Sequence, residues 1–387
     1  MNKKGRLFHI GITGSYGGLN LGDEAILHSI IAQLRKSLHV QITVFSRNAE
    51  DTRRRHKVDK AIPVRQITRE EVIPEITALD LLIFGGGGLL FDSDVKTFLR
   101  EVHIAHELGV PVMVYAIGAG PLDDAANHAL VRECLHKAAI VTVRDRQAYH
   151  LLEEIGVRRD MTVTADPAFL LLPEPLPKEA LKREGLESDE PLVAMSVREP
   201  GGAAPDLQED TYHALLANVA DYVVERFGAR VVFVPMERAA QDMQHSHAVV
   251  ARMLRPQHAT VLKGDYSAGQ MLALMQHVRF ALGMRLHFLI FAIKCGVPFV
   301  ALPYASKVHG LLEHLQIEMP PLKLVNEGRL IAYIDRLWDR QRALKAAMRR
   351  TLPELTARAR STHEIAIQFL REQAKQQQEA APAASPA

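Results

Sequence analysis

Three basic side chains punctuate the segment FALGMRLHFLIFAIKCGVPFVALPYASKVHG, residues 280–310, which is otherwise apolar enough to be buried. Arg285, His287 and Lys307 stand where its apolar runs start or stop. VRFALG reads as a strand and Met284 to Lys294 as a buried helix, so Arg285 and His287 fall in that helix's first turn. The helix dipole disfavours a cation there by about 0.3–1 kcal/mol each. An anion held at the same helix end reverses the sign. Lys307 opens the next helical pattern, after the strand PFVALP. A lone basic residue at such a place keeps its head in water and its stem on the surface. Three brought together by adjacent strand ends are better explained by an anion of more than one charge.

Other strand ends carry further candidates. GSYGGLNLGDEAIL, residues 14–27, joins a strand to a helix and holds Gly14, Tyr16, Asn20 and Asp23. Its glycines let backbone approach a ligand, and the helix start offers unpaired N–H groups. Asn20 or Asp23 is either the helix cap or, for Asp23, a base or acceptor-hydroxyl contact. The glycines are not spaced as G-x-G-x-x-G, and the second strand ends in Ser46-Arg47 with no carboxylate for a ribose, which disfavours a dinucleotide. Gly85 to Gly88, including Gly86 and Gly87, follow an apolar run and suggest a place where no side chain fits, through close substrate approach or a loose turn. Arg144 and Asp145 end the strand AIVTV as an internal ion pair or a ligand contact. Arg198, just before Gly201 and Gly202, is a phosphate contact or a solvated side chain. No metal site is assigned: His245 and His247, two apart, face different ways on a helix. The run RRRHK, residues 53–57, is a solvated face or a contact for an anionic membrane surface.

Positioning these residues requires a regular scaffold, and the chain alternates short apolar runs with amphipathic helical patterns. LFHIGIT, QITVFS, DLLIFGGGG, PVMVYAIGAG and AIVTVRD read as strands, with helices between most of them. This predicts a parallel sheet covered by helices on both faces. The pattern breaks over residues 171–191, rich in proline and then charge, and a second series follows: LVAMSVRE, RVVFVP, ATVLKG, VRFALG and PFVALP. We expect an N-terminal Rossmann-like domain over 1–175 and a C-terminal one over 190–372. Residues 373–387 are expected to be a disordered tail. The long helical pattern from about Glu327 is placed to cross back to the first domain. In such sheets ligands sit beyond the carboxyl ends of the strands, so two facing domains would hold one between them.

Composition narrows the function. At 387 residues the chain is too long for one ordinary core. Lys and Arg number 47 against 45 Asp and Glu, which gives no field for wrapping nucleic acid. Two cysteines, Cys134 and Cys295, suggest a reducing compartment and no disulfide framework. No long apolar stretch and no signal-like start is seen, so a cytoplasmic protein is expected.

The ordered set GSYGGLNLGDEAIL, DLLIFGGGGLLFD, VRD (143–145), ADPAF (165–169), SVR (196–198), MRLHFLIFAIKCGVP and PYASKV resembles the polysaccharide pyruvyl transferase family. It departs from that family where Glu199-Pro200 follow Arg198 and where serine stands in GSYGG in place of an aromatic. The resemblance implies a GT-B-like α/β fold of two facing Rossmann-like doubly wound domains, the first on the acceptor side and the second on the donor side. It implies transfer of a pyruvyl group from phosphoenolpyruvate to a saccharide, forming a cyclic ketal and releasing phosphate, with no cofactor. Donor contacts would fall on Arg144, His287 and Lys307, the strand-end residues reached independently, with Arg285 and Arg198 beside them. Gly14, Tyr16, Asn20, Asp23, Gly86 and Gly87 would face the acceptor. Arginine suits a planar carboxylate and lysine a phosphate; His287 would be the acid that protonates the methylene carbon, and Asp23 a second catalytic group. The acceptor would be a cell-envelope polysaccharide precursor; whether it is lipid-linked, with the enzyme at the inner face of the membrane, stays open. Rival readings are a sugar-nucleotide GT-B glycosyltransferase, a non-catalytic saccharide-binding module and an NADP oxidoreductase. Against the first, such enzymes resemble this chain but place a glutamate where Phe291 stands, five residues before Gly296.

Overall fold

The computed structural model describes residues 6–200, 207–237, 241–302, 306–317 and 324–380. The chain forms two compact units. One contains Met1–Gly18, Ile26–Leu170 and Thr356–Ala387, and the other Leu19–Ala25 and Leu171–Leu355.

The first unit is built on a seven-stranded sheet of β1 (Leu7–Thr13), β2 (His39–Ser46), β3 (Lys60–Pro63), β4 (Leu81–Leu90), β5 (Val112–Ala119), β6 (Ile140–Val143) and β7 (Thr162–Val163). The strands lie in the order β3-β2-β1-β4-β5-β6-β7, and every pairing is parallel. The central strands are apolar along their whole length because helices cover both faces. Ile10, Ile12, Leu82, Ile83, Val114 and Ile117 are all fully buried. The two strands the sequence reading missed, β3 and β7, are the short outer ones, four and two residues long.

The second unit has a five-stranded sheet of β8 (Leu192–Ser196), β9 (Arg230–Phe233), β10 (Ala259–Val261), β11 (Val278–Gly283) and β12 (Phe299–Ala301), ordered β10-β9-β8-β11-β12 and again all parallel. Trp338 stacks on Phe227 with ring centroids 3.8 Å apart and leans on Phe280, closing the core beneath the sheet. The Pro-rich segment after Leu170 is a packed surface strap within this unit. Glu184 accepts bonds from the backbone N–H groups of Lys263 and Gly264 and from the Tyr266 hydroxyl.

The domain boundaries differ from those expected in three places, the first being residues 171–175, which fall in the second unit. Residues 19–25 belong with the second unit, and the chain from Thr356 onward belongs with the first. The helix Gln341–Ala380 is continuous, so residues 373–380 are helical where a disordered tail was expected; residues 381–387 lie outside the described residues. Its later part is tied into the first unit. Arg358 Nη2 donates to the Thr164 carbonyl at 2.7 Å, the Ser37 hydroxyl meets His363 Nε2 at 3.0 Å, and Ala359 and Ala366 are fully buried. The glutamine-rich residues 375–379 are exposed; they continue a helix whose packed part, with Ala359, Ala366 and Leu370 buried, lies before them.

Candidate active site

Each sheet has one place where neighbouring strands send their chains in opposite directions. That place is where an open α/β sheet binds ligands, beyond the carboxyl ends of the strands. In the first unit it lies between β1 and β4, paired through Thr13 and Phe84. The loop from Gly14 and the run Gly85 to Gly88 both leave from it.

Most of the glycine content there is explained by packing. Tyr16 is fully buried and its hydroxyl donates to the Gly85 carbonyl. A Cβ on Gly14 would lie 2.8 Å from the Tyr16 ring. Gly85, Gly86 and Gly87 have φ of +150°, +75° and +94°, and a Cβ on Gly86 would meet Ile26 Cγ2 at 2.1 Å. Tyr16 and Gly86, expected at the acceptor, are therefore core residues in this structure. Gly88 is the exposed member of the run.

Arg144 follows β6 and is buried between two carboxylates. Its Nη1 lies 3.2 Å from Asp166 and its Nε 3.3 Å from Asp145. Burial works against its charge, and these two carboxylates more than offset that, so it stays a cation. Asp145 also caps the next helix by accepting from Ala148 N. Arg144 Nη2 lies over Gly118 and Gly88; a Cβ on Gly118 would be 2.6 Å from it. The ion-pair reading thus describes two edges of the guanidinium, with the third turned to the strand end. Asp166 carries that arrangement and was missed, although it sits in the quoted ADPAF motif.

In the second unit the corresponding place lies between β8 and β11, paired through Ser196 and Gly283. Arg198 leaves β8 and ion-pairs with Glu199. Arg285 follows β11 as the N-cap residue of the helix Leu286–Cys295, so it precedes the first turn. Its guanidinium grips Asp242 through Nε at 3.1 Å and through Nη2, and Nη1 reaches Glu237 at 2.8 Å. Asp242 is fully buried and also accepts from the backbone N–H groups of Met236 and Glu237. Burial raises its carboxyl above the usual range while Arg285 pulls it back. Sequence spacing gave no sign of Asp242, forty-three positions away.

His287 is the partly exposed second residue of that helix. Its ring lies directly over Gly22 of the first loop: a Cβ there would be 1.9 Å from His287 Nδ1 and 2.3 Å from Cγ. The loop is fixed in this place by Leu21 N donating to the Met236 carbonyl at 2.8 Å and by a β-bridge between Asn20 and Glu237. Leu19 just before it holds φ of +61°, a conformation leucine rarely adopts. The Asn20 side chain accepts from Gly22 N at 2.9 Å and Asp23 N at 3.4 Å, so Asn20 is the cap of the helix Leu21–Ser37. That leaves Asp23 inside the first turn, partly exposed and next to the glycine under His287. Glu237 therefore links the first loop, by its backbone, to Arg285, by its carboxylate.

Lys307 lies in the helix Ser306–His314, and its side chain is outside the described residues, so its donor role has no geometry here. Phe291 is fully buried, so no carboxylate is offered where a ribose diol would be gripped. In the RRRHK run, Arg53, Arg54 and Lys57 are exposed, as a solvated face requires, while the Arg55 side chain and His56 are buried; Arg54 and Arg55 both bind Asp51, and Arg53 donates to the Ala61 carbonyl. No helix is long and apolar enough to cross a membrane among the described residues.

A family model described as polysaccharide pyruvyl transferase matches residues 20–306. Lys307 lies one residue beyond that match. No curated protein matches the chain. Among solved structures, a Staphylococcus aureus MnaA–UDP structure is similar at TM-score 0.61 and 11% identity, covering 90% of this chain and 91% of that one. UDP-GlcNAc 2-epimerase from Neisseria meningitidis, bound to UDP-GlcNAc, is similar at TM-score 0.59 and 12% identity, covering 95% and 99%. A glycosyltransferase from Rickettsia africae is similar at TM-score 0.60 and 12% identity, covering 93% and 98%. At such identities the likeness is one of fold, that of GT-B enzymes with two Rossmann-like doubly wound domains.

Proposed function

The chain belongs to the polysaccharide pyruvyl transferase family, and on that premise we propose that it moves a pyruvyl group from phosphoenolpyruvate to a saccharide, a cell-envelope polysaccharide precursor. The product is a cyclic pyruvate ketal, and phosphate is released. The observation that carries this reading is the His287 imidazole, seated on Gly22 at the point where β8 and β11 diverge.

The chemistry asks for one acid and one base. His287 protonates the methylene carbon of the donor, and the positive charge that develops at the central carbon is offset by the donor's own carboxylate. A sugar hydroxyl adds to that carbon and gives up its proton, for which Asp23, adjacent to Gly22, is the base. The C–O bond to phosphate then breaks and phosphate leaves. A second hydroxyl of the same sugar adds, passes its proton to the His287 imidazole left neutral by the first step, and closes the ketal, so the carbon ends with two C–O bonds to the saccharide. Arg285 takes no part in contacting the donor: anchored on Asp242 and Glu237, it fixes the start of the helix that presents His287. Donor contacts for Arg144, Arg198 and Lys307 belong to the proposal and are tested one by one. No cofactor is required by these steps. The free thiols Cys134 and Cys295, both pushed up to about 12 by burial, fit a reducing compartment, and a cytoplasmic place with a lipid-linked acceptor at the membrane face is part of the same proposal.

Phosphate release from phosphoenolpyruvate, dependent on added saccharide, is the test. His287→Ala should lower it by roughly 10²–10⁴-fold, the usual worth of a positioned acid, while the thermal transition is retained. Unchanged turnover removes the role from His287. Consumption of a sugar nucleotide in place of phosphoenolpyruvate would favour a glycosyltransferase, and binding of saccharide without phosphate release a non-catalytic module.

A further inference from the structure

Away from Arg285 and His287, the second unit holds a group of side chains that the proposed reaction does not use. Glu209 and His213 lie four residues apart in the first turns of the helix Glu209–Phe227, on one face. His245 comes from the next helix, Asp242–Val250. On its own helix His245 has no partner in His247, as the spacing implied; its partner is across the helix pair.

Three ligand atoms converge. His213 Nε2 and His245 Nδ1 are 2.9 Å apart, Glu209 Oε1 is 3.2 Å from His245 Nδ1, and it is 4.0 Å from His213 Nε2. Zinc bonds of about 2.0–2.1 Å in a tetrahedron put neighbouring ligand atoms about 3.3–3.4 Å apart. The three separations bracket that value. Both imidazoles are buried, with side chains 5% and 8% exposed, whereas Glu209 is 61% exposed. The donor set is thus two imidazole nitrogens fixed in the protein and one carboxylate that can swing onto a metal from the solvent side. Arg252, the neighbouring cation, is engaged by Asp210 at 2.5 Å, which offsets its charge beside the group.

The geometry points to a binding site for a divalent transition-metal ion of the zinc class, held by His213 Nε2, His245 Nδ1 and Glu209 Oε1, with water in the fourth position. Two nitrogens and one oxygen favour such an ion over magnesium or calcium, which take oxygen donors. The ion joins the start of one helix to the body of the other. His245 is one turn beyond Asp242, which holds Arg285, so the bound metal also braces the support of the helix that carries His287.

The test uses the full chain stripped with a chelator and titrated with zinc, read by calorimetry and by the thermal transition. One zinc per chain, with a transition that rises as zinc is added, is expected. His245→Gln and His213→Ala/His245→Ala should each weaken binding by about 100-fold or more, since losing even an outer partner of a metal ligand costs 10–100-fold, and should abolish the thermal response. Zinc held equally well by these variants, on others of the 18 histidines, overturns the proposal. So does a chain that binds none. Should the variants fail to fold, X-ray absorption at the zinc edge of the unmutated chain decides: two imidazoles in the shell support the site, and fewer, or any thiolate, overturn it. None of these readouts uses turnover, so the site and the proposed reaction stand or fall separately.

Discussion

Gly22→Ala isolates the placement of His287 from the stability of the protein. Ordinary contact with a Cβ begins at 3.4 Å, and the added methyl would lie 1.9 Å from His287 Nδ1, so the ring must withdraw by about 1.5 Å. Gly22 is the second residue of the helix Leu21–Ser37 and has no left-handed φ, so alanine fits its backbone. Alanine is better than glycine in a helix by up to about 1 kcal/mol, which works against the cost of displacing a ring whose Cγ would lie 2.3 Å from the methyl; the thermal transition measures that balance separately from turnover. A misplacement of about 1 Å at a reacting group costs on the order of 100-fold in rate, equivalent to about 2.7 kcal/mol of barrier. The assay is acceptor-dependent phosphate release from phosphoenolpyruvate, with kcat and KM separated. If the loss runs through His287, Gly22→Ala should cost nothing further in a His287→Ala background, because the two changes then strike one interaction. Unaltered turnover in Gly22→Ala, or losses that add in the double variant, would refute the assignment of that imidazole to the chemistry.

Two further outcomes are expected. Arg144→Lys keeps a cation but not the fork that spans Asp166 and Asp145; KM for phosphoenolpyruvate should rise about tenfold, the effect of some 1.4 kcal/mol, whereas a lower thermal transition with unchanged KM would make the residue purely structural. Glu101, buried under Thr13 with Arg100 at 3.7 Å, has its carboxyl raised by burial above the ordinary 4.5, so its stabilising protonated form is lost as pH climbs through the raised value; Glu101→Gln should be more stable than the native chain at pH 7 in urea unfolding, with the advantage closing toward pH 4.5, and a less stable variant at pH 7 would show that Arg100 outweighs burial.

Strands were readable wherever helices cover both faces of the sheet, because such strands are continuous apolar runs; β1, β4, β5 and β11 stand within a residue or two of their expected spans. The outer strands β3 and β7 were not, since neither KAIP nor TV sits in a continuous apolar run. The basic residues of the candidate site were legible for their type and their place after strands. Their partners were not. Asp242 and Glu237 reach Arg285 from across the fold, a pairing that no local pattern announces. Tyr16 differs in a similar way: the family resemblance puts it at the acceptor, but its buried ring packs against Gly14, where a Cβ would lie 2.8 Å away. The seat of His287 on Gly22 joins residues 265 positions apart, a distance no local pattern spans.

Neither compact unit is a single stretch of chain. The first takes its last segment from Thr356 onward, where Arg358 and His363 bond to Thr164 and Ser37. A ribosome adding about 5–20 residues per second leaves Leu170 waiting roughly 10–40 s before that segment exists. Throughout that interval the nascent sheet has an uncovered flank, and the amino-terminal unit reaches its mature form only once the segment from Thr356 has been made. Its exposure to chaperones and proteases is thus set by the length of the inserted second unit.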